Sequence, residues 1–221
     1  MLVILPAHNE EQSLPTVLRE LLRLPLNMDI CVVDSQCSDD TISLIRSYPV
    51  QILTAERKGY ANALLCGYRY AQTCGAQTIV QLDADGQHPV SYIPHLVRVL
   101  SQVDWVVGSR HRTGSGGALM RRAGAFCTKT LLSQTGLCDL SSGFWAFNKT
   151  TLSFFLQTFP VAFTEAPLRI QALSKGIRIM EQSLPMSERE QGYSMHRGVA
   201  SWKHGVSMWL KSRKLKKKYL I

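Results

Sequence analysis

Two aspartates separated by one residue are the first candidates for chemistry in this sequence. Asp83 and Asp85 follow an apolar run, residues 78–82, and precede Gly86, so a turn is expected where a strand ends. In such a turn the two carboxylates can converge on one point, and Gln87 can add a neutral oxygen. Hard oxygen ligands suit Mg²⁺ or Mn²⁺, with diphosphate oxygens and water filling the coordination shell. Without further context the segment is equally typical of a solvated turn.

Other polar side chains suit the recognition of a nucleotide or an anion. Asp34 ends a second apolar run, where a carboxylate can accept hydrogen bonds from a ribose or a base. A helix-capping role is the alternative for it, although Ser38 or Asp39 suits that role better. Guanidinium groups match phosphate geometry, which makes four arginines candidates: Arg110, Arg121, Arg122 and Arg189. Loop histidines such as His8 and His88 suit ligand or acid–base roles, but most loop histidines have neither.

Short apolar runs alternate with helical patterns along the first half of the chain. The runs predict buried strands at residues 2–5, 30–33, 50–53, 78–82 and 104–108. The helical periodicity predicts helices at residues 11–24, 38–47, 60–74 and 90–101. This alternation predicts an α/β fold, with a mostly parallel sheet covered by helices on both faces. Functional residues in such sheets gather beyond the carboxyl ends of the strands, where Asp34, Asp83 and Asp85 lie.

Several function classes lose their main support. The chain has no G-x-G-x-x-G after its first strand and no G-x-x-x-x-G-K-[ST], so dinucleotide oxidoreductases and P-loop proteins are disfavoured. Residues 144–163 approach the length of a membrane span, but their polar residues favour a strand followed by an amphipathic helix. The six cysteines form no C-x-x-C pair and no secretory signal opens the sequence. Reduced, mostly buried cysteines in a cytosolic protein are therefore expected.

The positive charge is concentrated towards the end of the chain. The net charge is +9, yet eight Lys and Arg residues and no acidic residue follow Glu190, so the first 190 residues are nearly neutral. This distribution argues against a nucleic-acid-binding protein.

Six motifs follow one another along most of the sequence. They are VILPAHNE at residues 3–10, VVDSQCSDDT at 32–41, LDADGQHP at 82–89, GSR at 108–110, DLSSGF at 139–144 and REQGYS at 189–194. In this order they resemble the motifs of the inverting glycosyltransferase family 2. The third is similar to the L-D-A-D-x-Q-H-P signature of its dolichyl- or polyprenyl-phosphate mannose (or glucose) synthase branch. The resemblance implies the GT-A fold, a Rossmann-like α/β architecture, over residues 1–195.

The resemblance also implies roles for individual residues. Nucleotide contacts would come from Pro6, His8, Glu10, Asp34 and Asp83. A divalent cation would be held by Asp83, Asp85 and Gln87. The acceptor phosphate would be bound by Arg110, Arg122 and Arg189, with Ser194 nearby. Asp139 would shape the pocket, so that the catalytic set comprises Asp85, Arg110, Asp139 and Arg189.

Three residues depart from the family pattern. His8 stands where a Tyr is usual, which bears on base stacking. Ser35 replaces the usual second acid of the second motif, which bears on nucleotide preference. Met195 stands where a Lys usually follows the Ser, which removes one expected positive contact to the acceptor.

The combined expectation is an inverting transferase that moves a hexose from a GDP- or UDP-linked sugar to a polyprenyl or dolichyl phosphate, with Mg²⁺ or Mn²⁺ as cofactor. Such a phosphate is already anionic at neutral pH, so no strong general base is needed. One alternative is a family-2 transferase acting on a sugar hydroxyl, which needs a general base and for which Glu165 is a candidate. A nonenzymatic nucleotide-sugar-binding protein is the other.

Residues 196–221 predict a basic amphipathic helix. Val199, Trp202, Val206, Trp209 and Leu210 fall on one helical face, and six of the eight residues at 211–218 are basic. This pattern is typical of an interfacial segment that binds an anionic membrane surface. It predicts a cytoplasmic protein held peripherally at a membrane, or docked on a membrane subunit. A domain-closing helix with a solvated end is the alternative.

Overall fold

The computed structural model describes residues 1–110, 142–158 and 165–186. Several predicted features lie outside these residues: Asp139, Arg121, Arg122, Arg189, Ser194, Met195 and the basic segment 196–221. Arg110 is described as the last residue of a strand and Glu165 as the first residue of a helix.

The described residues form seven strands and six α-helices. The strands are β1 (Leu2–Ala7), β2 (Asp29–Asp34), β3 (Gln51–Thr54), β4 (Thr78–Gln81), β5 (Trp105–Arg110), β6 (Trp145–Asn148) and β7 (Ile179–Leu184). The helices are α1 (Leu14–Leu22), α2 (Thr41–Ile45), α3 (Tyr60–Thr73), α4 (Ile93–Val99), α5 (Lys149–Thr158) and α6 (Glu165–Ser174), and a 3-10 turn at Val90–Tyr92 precedes α4. None of the helices described is long and apolar enough to cross a membrane.

The strands form one sheet in the order β3-β2-β1-β4-β6-β5-β7. β1 pairs in parallel with β2 and β4, β2 with β3, and β5 with β7, whereas β6 is antiparallel to both of its neighbours. Six strands therefore point the same way and one points the opposite way. The prediction of a mostly parallel sheet is confirmed.

Two hydrophobic clusters cover the two faces of this sheet. Alternate residues of β1 point to opposite faces: Val3 and Leu5 pack with α1, α2 and α4, whereas Leu2 and Ile4 pack with α3, α5 and α6. Gly67 allows α3 to approach the sheet closely, because a Cβ there would lie 2.6 Å from Cγ2 of Ile4. Helices on both faces are thus confirmed as well.

The helices are shorter than the periodicity predicted. α1 begins at Leu14, with Pro15 in its first turn, where the missing N–H of proline is tolerated. α2 begins at Thr41 because residues 38–40 are hydrogen-bonded to the loop after β1 instead. α4 begins after a 3-10 turn, which places Pro94 in its first turn.

The described cysteines are free thiols, as expected for Cys31, Cys37, Cys66 and Cys74. Only Cys31 among them is buried, and Cys74 is exposed. The prediction of mostly buried cysteines is therefore wrong for the part of the chain that is described.

The topology brings four segments to one edge of the sheet. β1, β2 and β4 are neighbours with parallel directions, so residues 8–10, 35–39 and 82–87 leave the sheet at the same edge. β6 runs the other way, and its first residue, Trp145, pairs with the last residue of β4, Gln81. Residues 142–144 therefore reach the same edge as Asp34 and Asp83.

Candidate active site

The loops after β1 and β2 are fastened to each other by side chains. Asn9, whose φ is 56°, accepts the backbone N–H of Ser38 at 2.8 Å through Oδ1 and donates to the Ser38 hydroxyl at 3.1 Å through Nδ2. The backbone N–H of Glu10 donates to Thr41 Oγ1 at 2.8 Å. These bonds give the two loops one fixed relative position.

Asp39 fixes the start of α2 in the same region. Its Oδ1 accepts from the N–H and the hydroxyl of Thr41, at 3.0 and 2.5 Å, and its Oδ2 accepts the N–H of Glu11 at 3.4 Å. Burial acts to raise the pKa of Asp39, but these hydrogen bonds outweigh it and the pKa is lowered. Of the two capping candidates in the sequence, Asp39 is the one that binds a helical N–H.

Asp34 is held within a tight turn at the end of β2. Its Oδ1 accepts the N–H of Cys37 at 2.8 Å, and the intervening Gln36 has a positive φ of 58°. Burial raises the pKa of the Cys37 thiol to about 11, so the thiol is protonated and donates to the carbonyl of Ala7 at 3.6 Å. The orientation of the Asp34 carboxylate is therefore set by the turn itself.

Ser35 is buried and has a structural contact. Its hydroxyl accepts the backbone N–H of Gly59 at 2.8 Å. Gly59 directly precedes α3 and has φ 123°, a value that L side chains rarely adopt. The serine that departs from the family pattern thus secures the loop that leads into Tyr60.

Asp83 is held in place by contacts from two other segments. Its Oδ1 accepts from the Tyr60 hydroxyl at 2.9 Å, and its backbone N–H donates to Nδ1 of His88 at 2.9 Å. Because Nδ1 accepts, the proton of a neutral His88 ring lies on Nε2, which is 3.7 Å from Oδ2 of Asp83. His88 is buried and stacks on Phe144, with ring centroids 5.1 Å apart. This histidine therefore orients Asp83 and is not a mobile loop residue.

Gly143 lies directly against the same carboxylate. A Cβ at this position would be 3.2 and 3.3 Å from the two carboxylate oxygens of Asp83 and 2.8 Å from the Tyr60 oxygen. The missing side chain leaves the space that the Tyr60–Asp83 pair occupies.

Asp85 and Gln87 form the predicted turn after β4. Asp85 Oδ1 accepts the backbone N–H of Gln87 at 3.0 Å. The described residues contain no group of three His, Cys, Asp or Glu side chains placed to hold a metal by themselves. Two carboxylates and an amide oxygen nonetheless fit a hard divalent cation whose shell is completed by diphosphate oxygens and water.

The remaining predicted donor-side residues occupy the end of β1. Pro6 pairs with Val33 inside the sheet, and Glu10 accepts from the Ser13 hydroxyl at 2.7 Å. His8 has a buried Nδ1 without a hydrogen-bond partner among the described residues. A buried polar atom of this kind at a loop edge is the position where a ligand can complete the hydrogen bonding.

Sequence reasoning did not single out Tyr60, Gln81 or Gly143. The one sequence signal for these contacts is Gln81 itself, because a polar residue inside the apolar run that forms β4 needs a buried polar partner. Gln81 donates to the carbonyl of Gly143, and Arg169 donates to the carbonyl of Ser142. Both bonds join segments that are far apart in sequence.

Solved structures with a similar fold include those of a glucosyl-3-phosphoglycerate synthase. Glucosyl-3-phosphoglycerate synthase from Mycobacterium tuberculosis, in complex with Mn²⁺, UDP and phosphoglyceric acid, superposes with a TM-score of 0.72. It is 20% identical, and the match covers 97% of this chain and 77% of that one. The same enzyme with Mg²⁺ and UDP gives a TM-score of 0.68 at 19% identity, covering 96% of this chain and 78% of that one. The likeness establishes the GT-A fold.

Two relatives align along most of the chain. Undecaprenyl-phosphate mannosyltransferase of Micrococcus luteus is 27% identical over 215 residues, covering 90% of this chain and 88% of that protein. Undecaprenyl-phosphate 4-deoxy-4-formamido-L-arabinose transferase of Proteus mirabilis is 24% identical over 207 residues, covering 88% of this chain and 62% of that protein.

The family profile described as glycosyl transferase family 2 matches residues 2–167. That stretch contains the loops after β1, β2 and β4 and the segment that ends at Gly143. The match agrees with the order of the sequence motifs and with the fold. The chain is a glycosyltransferase and belongs to glycosyl transferase family 2.

Proposed function

We propose that this enzyme transfers a hexose from a GDP- or UDP-linked sugar to a polyprenyl or dolichyl phosphate, with inversion at the anomeric carbon. The observation that carries the proposal is the gathering of Asp34, Asp83 and Asp85 at one sheet edge. The chain that carries them aligns over nine-tenths of its length with an undecaprenyl-phosphate mannosyltransferase.

On the donor side, the nucleotide contacts Pro6, His8, Glu10, Asp34 and Asp83. The fixed orientations of Asp34 and Asp83 support this role, because carboxylates that need not reorganise bind ribose hydroxyls and cations at a smaller entropic cost. Asp83, Asp85 and Gln87 hold Mg²⁺ or Mn²⁺. A divalent cation bound there supplies Lewis-acid stabilisation of the diphosphate leaving group.

On the acceptor side, Arg110, Arg122 and Arg189 bind the phosphate of the lipid, with Ser194 nearby and Asp139 shaping the pocket. An oxygen of the phosphate attacks the anomeric carbon while the bond from that carbon to the nucleotide diphosphate breaks. The attacking oxygen is already anionic, so the residues act by positioning and charge stabilisation. Asp85, Arg110, Asp139 and Arg189 are the catalytic set. The position of Arg110 supports this assignment: it is the last residue of β5, which points the same way as β1, β2 and β4, so it lies at the same edge of the sheet as Asp34 and Asp83.

Sugar transfer to polyprenyl phosphate tests the proposal directly. A screen of GDP- and UDP-sugars for binding identifies the donor, and radiolabelled transfer is then compared between wild type and Asp85→Ala. We expect a loss of about 100-fold or more in the variant, because charge stabilisation at the leaving group is removed. Undiminished transfer by Asp85→Ala would refute the role of that carboxylate. Transfer to glycan hydroxyls and not to lipid phosphate would favour the alternative with Glu165 as general base.

We also propose a division into a transferase domain, residues 1–195, and a peripheral membrane segment, residues 196–221. The apolar helical face and the basic cluster of that segment support it, with each Lys or Arg near an anionic leaflet contributing about 1 kcal/mol. Flotation with anionic liposomes compares the full chain with a chain truncated after Ser207. Equal flotation of the two forms would exclude the anchor, and binding only in the presence of a membrane protein would indicate a subunit instead.

A further inference from the structure

A chain of hydrogen bonds runs from the interior of the protein to Asp83. The hydroxyl of Tyr68, on α3, donates to Oε1 of Gln81, the last residue of β4. The amide nitrogen of Gln81 donates to the carbonyl of Gly143 at 3.0 Å and to the hydroxyl of Tyr60 at 3.3 Å. Tyr60 in turn donates to Oδ1 of Asp83 at 2.9 Å. Both Tyr68 and Gln81 are fully buried.

The direction of every bond in this chain follows from one fixed acceptor. The carbonyl of Gly143 can only accept, so the amide nitrogen of Gln81 must face it and the amide oxygen must face Tyr68. Burial raises the pKa of Tyr68 above its ordinary value, so this phenol stays protonated and donates. The second N–H of Gln81 then points at the oxygen of Tyr60, which accepts. The single proton of Tyr60 is thereby directed to Asp83.

Gln81 also fixes the position of residues 142–144, which lie beside the Asp83 carboxylate. Gln81 and Asp83 are two residues apart at the end of β4, so their side chains lie on the same side of the polypeptide backbone. By binding the carbonyl of Gly143, Gln81 ties the segment before β6 to β4 at the point where a Cβ would touch both Tyr60 and Asp83. Gln81 therefore controls both the proton of Tyr60 and the space around Asp83.

We infer that Gln81 is a positioning residue for the donor site, which holds Asp83 in its cation- and nucleotide-binding orientation through the hydroxyl of Tyr60. This inference rests on the proposed function, since it takes Asp83 to bind a cation together with a nucleoside diphosphate. A glutamine that only satisfied hydrogen bonds in the core would contribute to stability and leave the affinity of the site unchanged.

A double-mutant cycle separates these two roles. Mn²⁺ affinity is measured by electron paramagnetic resonance of the free ion, with UDP and with GDP, for wild type, Tyr60→Phe, Gln81→Met and the double variant. We expect Tyr60→Phe to weaken Mn²⁺ binding about 10- to 100-fold, as is typical when a group that orients a metal ligand is removed. Gln81→Met should weaken it about five- to tenfold in the wild type but less than twofold when Tyr60 is already Phe.

Two further variants control for folding. Gln81→Met leaves the Tyr68 hydroxyl buried without its acceptor, so a Gln81→Met/Tyr68→Phe variant replaces both partners by apolar groups and preserves the fold better. It should show the same loss of Mn²⁺ affinity as Gln81→Met. Tyr48→Phe is the matched control: it removes a phenol that donates to the carbonyl of Pro15, outside this chain of hydrogen bonds, and should leave Mn²⁺ affinity unchanged.

The outcomes distinguish the inference from the proposed function. If wild type binds Mn²⁺ with a nucleotide and the losses at Gln81 and Tyr60 multiply independently, or Gln81→Met/Tyr68→Phe binds like wild type, the inference is overturned and the proposed function stands. If wild type binds no Mn²⁺ with either nucleotide, both are overturned. Intact cation binding without transfer to lipid phosphate would overturn the proposed acceptor alone.

Discussion

Replacement of Gly143 by alanine tests how closely the segment before β6 fits against the donor site. The new Cβ would lie 2.8 Å from the Tyr60 oxygen and 3.2 and 3.3 Å from the oxygens of Asp83. Ordinary contacts of this kind are about 3.5 Å. The Tyr60 hydroxyl must therefore move by roughly 0.7 Å and the carboxylate by about 0.3 Å, and the 2.9 Å bond between them is strained or lost.

The size of the effect follows from these displacements. Overpacking costs about 1–3 kcal/mol, and the reduced freedom of the unfolded chain returns about 0.4–1 kcal/mol. We expect the free energy of unfolding to fall by about 1–2 kcal/mol. A misplacement near 1 Å at a reacting centre can reduce rate about 100-fold, so kcat/KM for sugar transfer should fall about 10- to 100-fold.

The assay compares kcat/KM, Mn²⁺ affinity and urea denaturation of Gly143→Ala with those of a matched control, Gly75→Ala. Gly75 has φ 65° and no atom within 4 Å of an added Cβ, so this control should lose about 1–2 kcal/mol of stability through backbone strain alone. Its kcat/KM should equal that of wild type. If Gly143→Ala has the same kcat/KM and Mn²⁺ affinity as wild type, the segment before β6 does not position Asp83.

Three further substitutions test other parts of the structure. Arg169→Met should lower the free energy of unfolding in urea by about 3–5 kcal/mol, because it removes the buried guanidinium that lies 3.8 Å from the largely buried Glu181 carboxylate. Arg169→Met/Glu181→Met should recover most of this loss. A loss below about 1 kcal/mol in the single variant would contradict this account. Hydrogen bonds from Arg178 lower the pKa of Asp104 to about 2, so this pair stabilises the fold fully above the ordinary aspartate pKa near 4 and ceases to do so as pH falls through about 2. Asp104→Asn should therefore lower the free energy of unfolding at pH 7 by only about 1 kcal/mol, because Arg178 is mostly exposed and water screens the pair. Its free energy of unfolding should also fall less steeply than that of wild type between about pH 4 and 2. Equal dependence on pH in the two proteins would exclude this. Ser35→Ala should destabilise the fold by about 1–3 kcal/mol in thermal unfolding and raise the KM for the donor, because the N–H of Gly59 loses its acceptor; an unchanged KM would mean that this contact does not reach the site.

The sequence was sufficient to predict that the aspartates at the strand ends lie at one edge of the sheet. Asp34 and Asp83 each follow an apolar run, and the rule that parallel strands share their carboxyl edge brings them together without any knowledge of distances. The direction of β6 was not predictable in this way. A strand that follows a long connection carries no local signal for the orientation in which it inserts between β4 and β5.

The rest of the candidate site depends on contacts between segments that are distant in sequence. Gln81 and Gly143 are 62 residues apart in sequence, and neither residue type indicates its partner. A glutamine in an apolar strand indicates only that some polar partner is buried nearby. Likewise the sequence leaves the role of His88 open between a ligand, an acid–base group and neither, because its acceptance of the Asp83 N–H and its stacking on Phe144 depend on the folded turn.

Ser35, which departs from the family pattern, has a structural role that involves the same contacts. An acid is usual there in the family pattern, yet this chain has a buried serine whose hydroxyl accepts the N–H of Gly59. Gly59 is followed at once by Tyr60, the phenol that donates to Asp83. Ser35 is thus linked through the start of α3 to the carboxylate at the end of β4, although β1 lies between β2 and β4 in the sheet. Position 35 therefore carries no acid in this chain, and its side chain instead supports the phenol that binds the carboxylate at the end of β4.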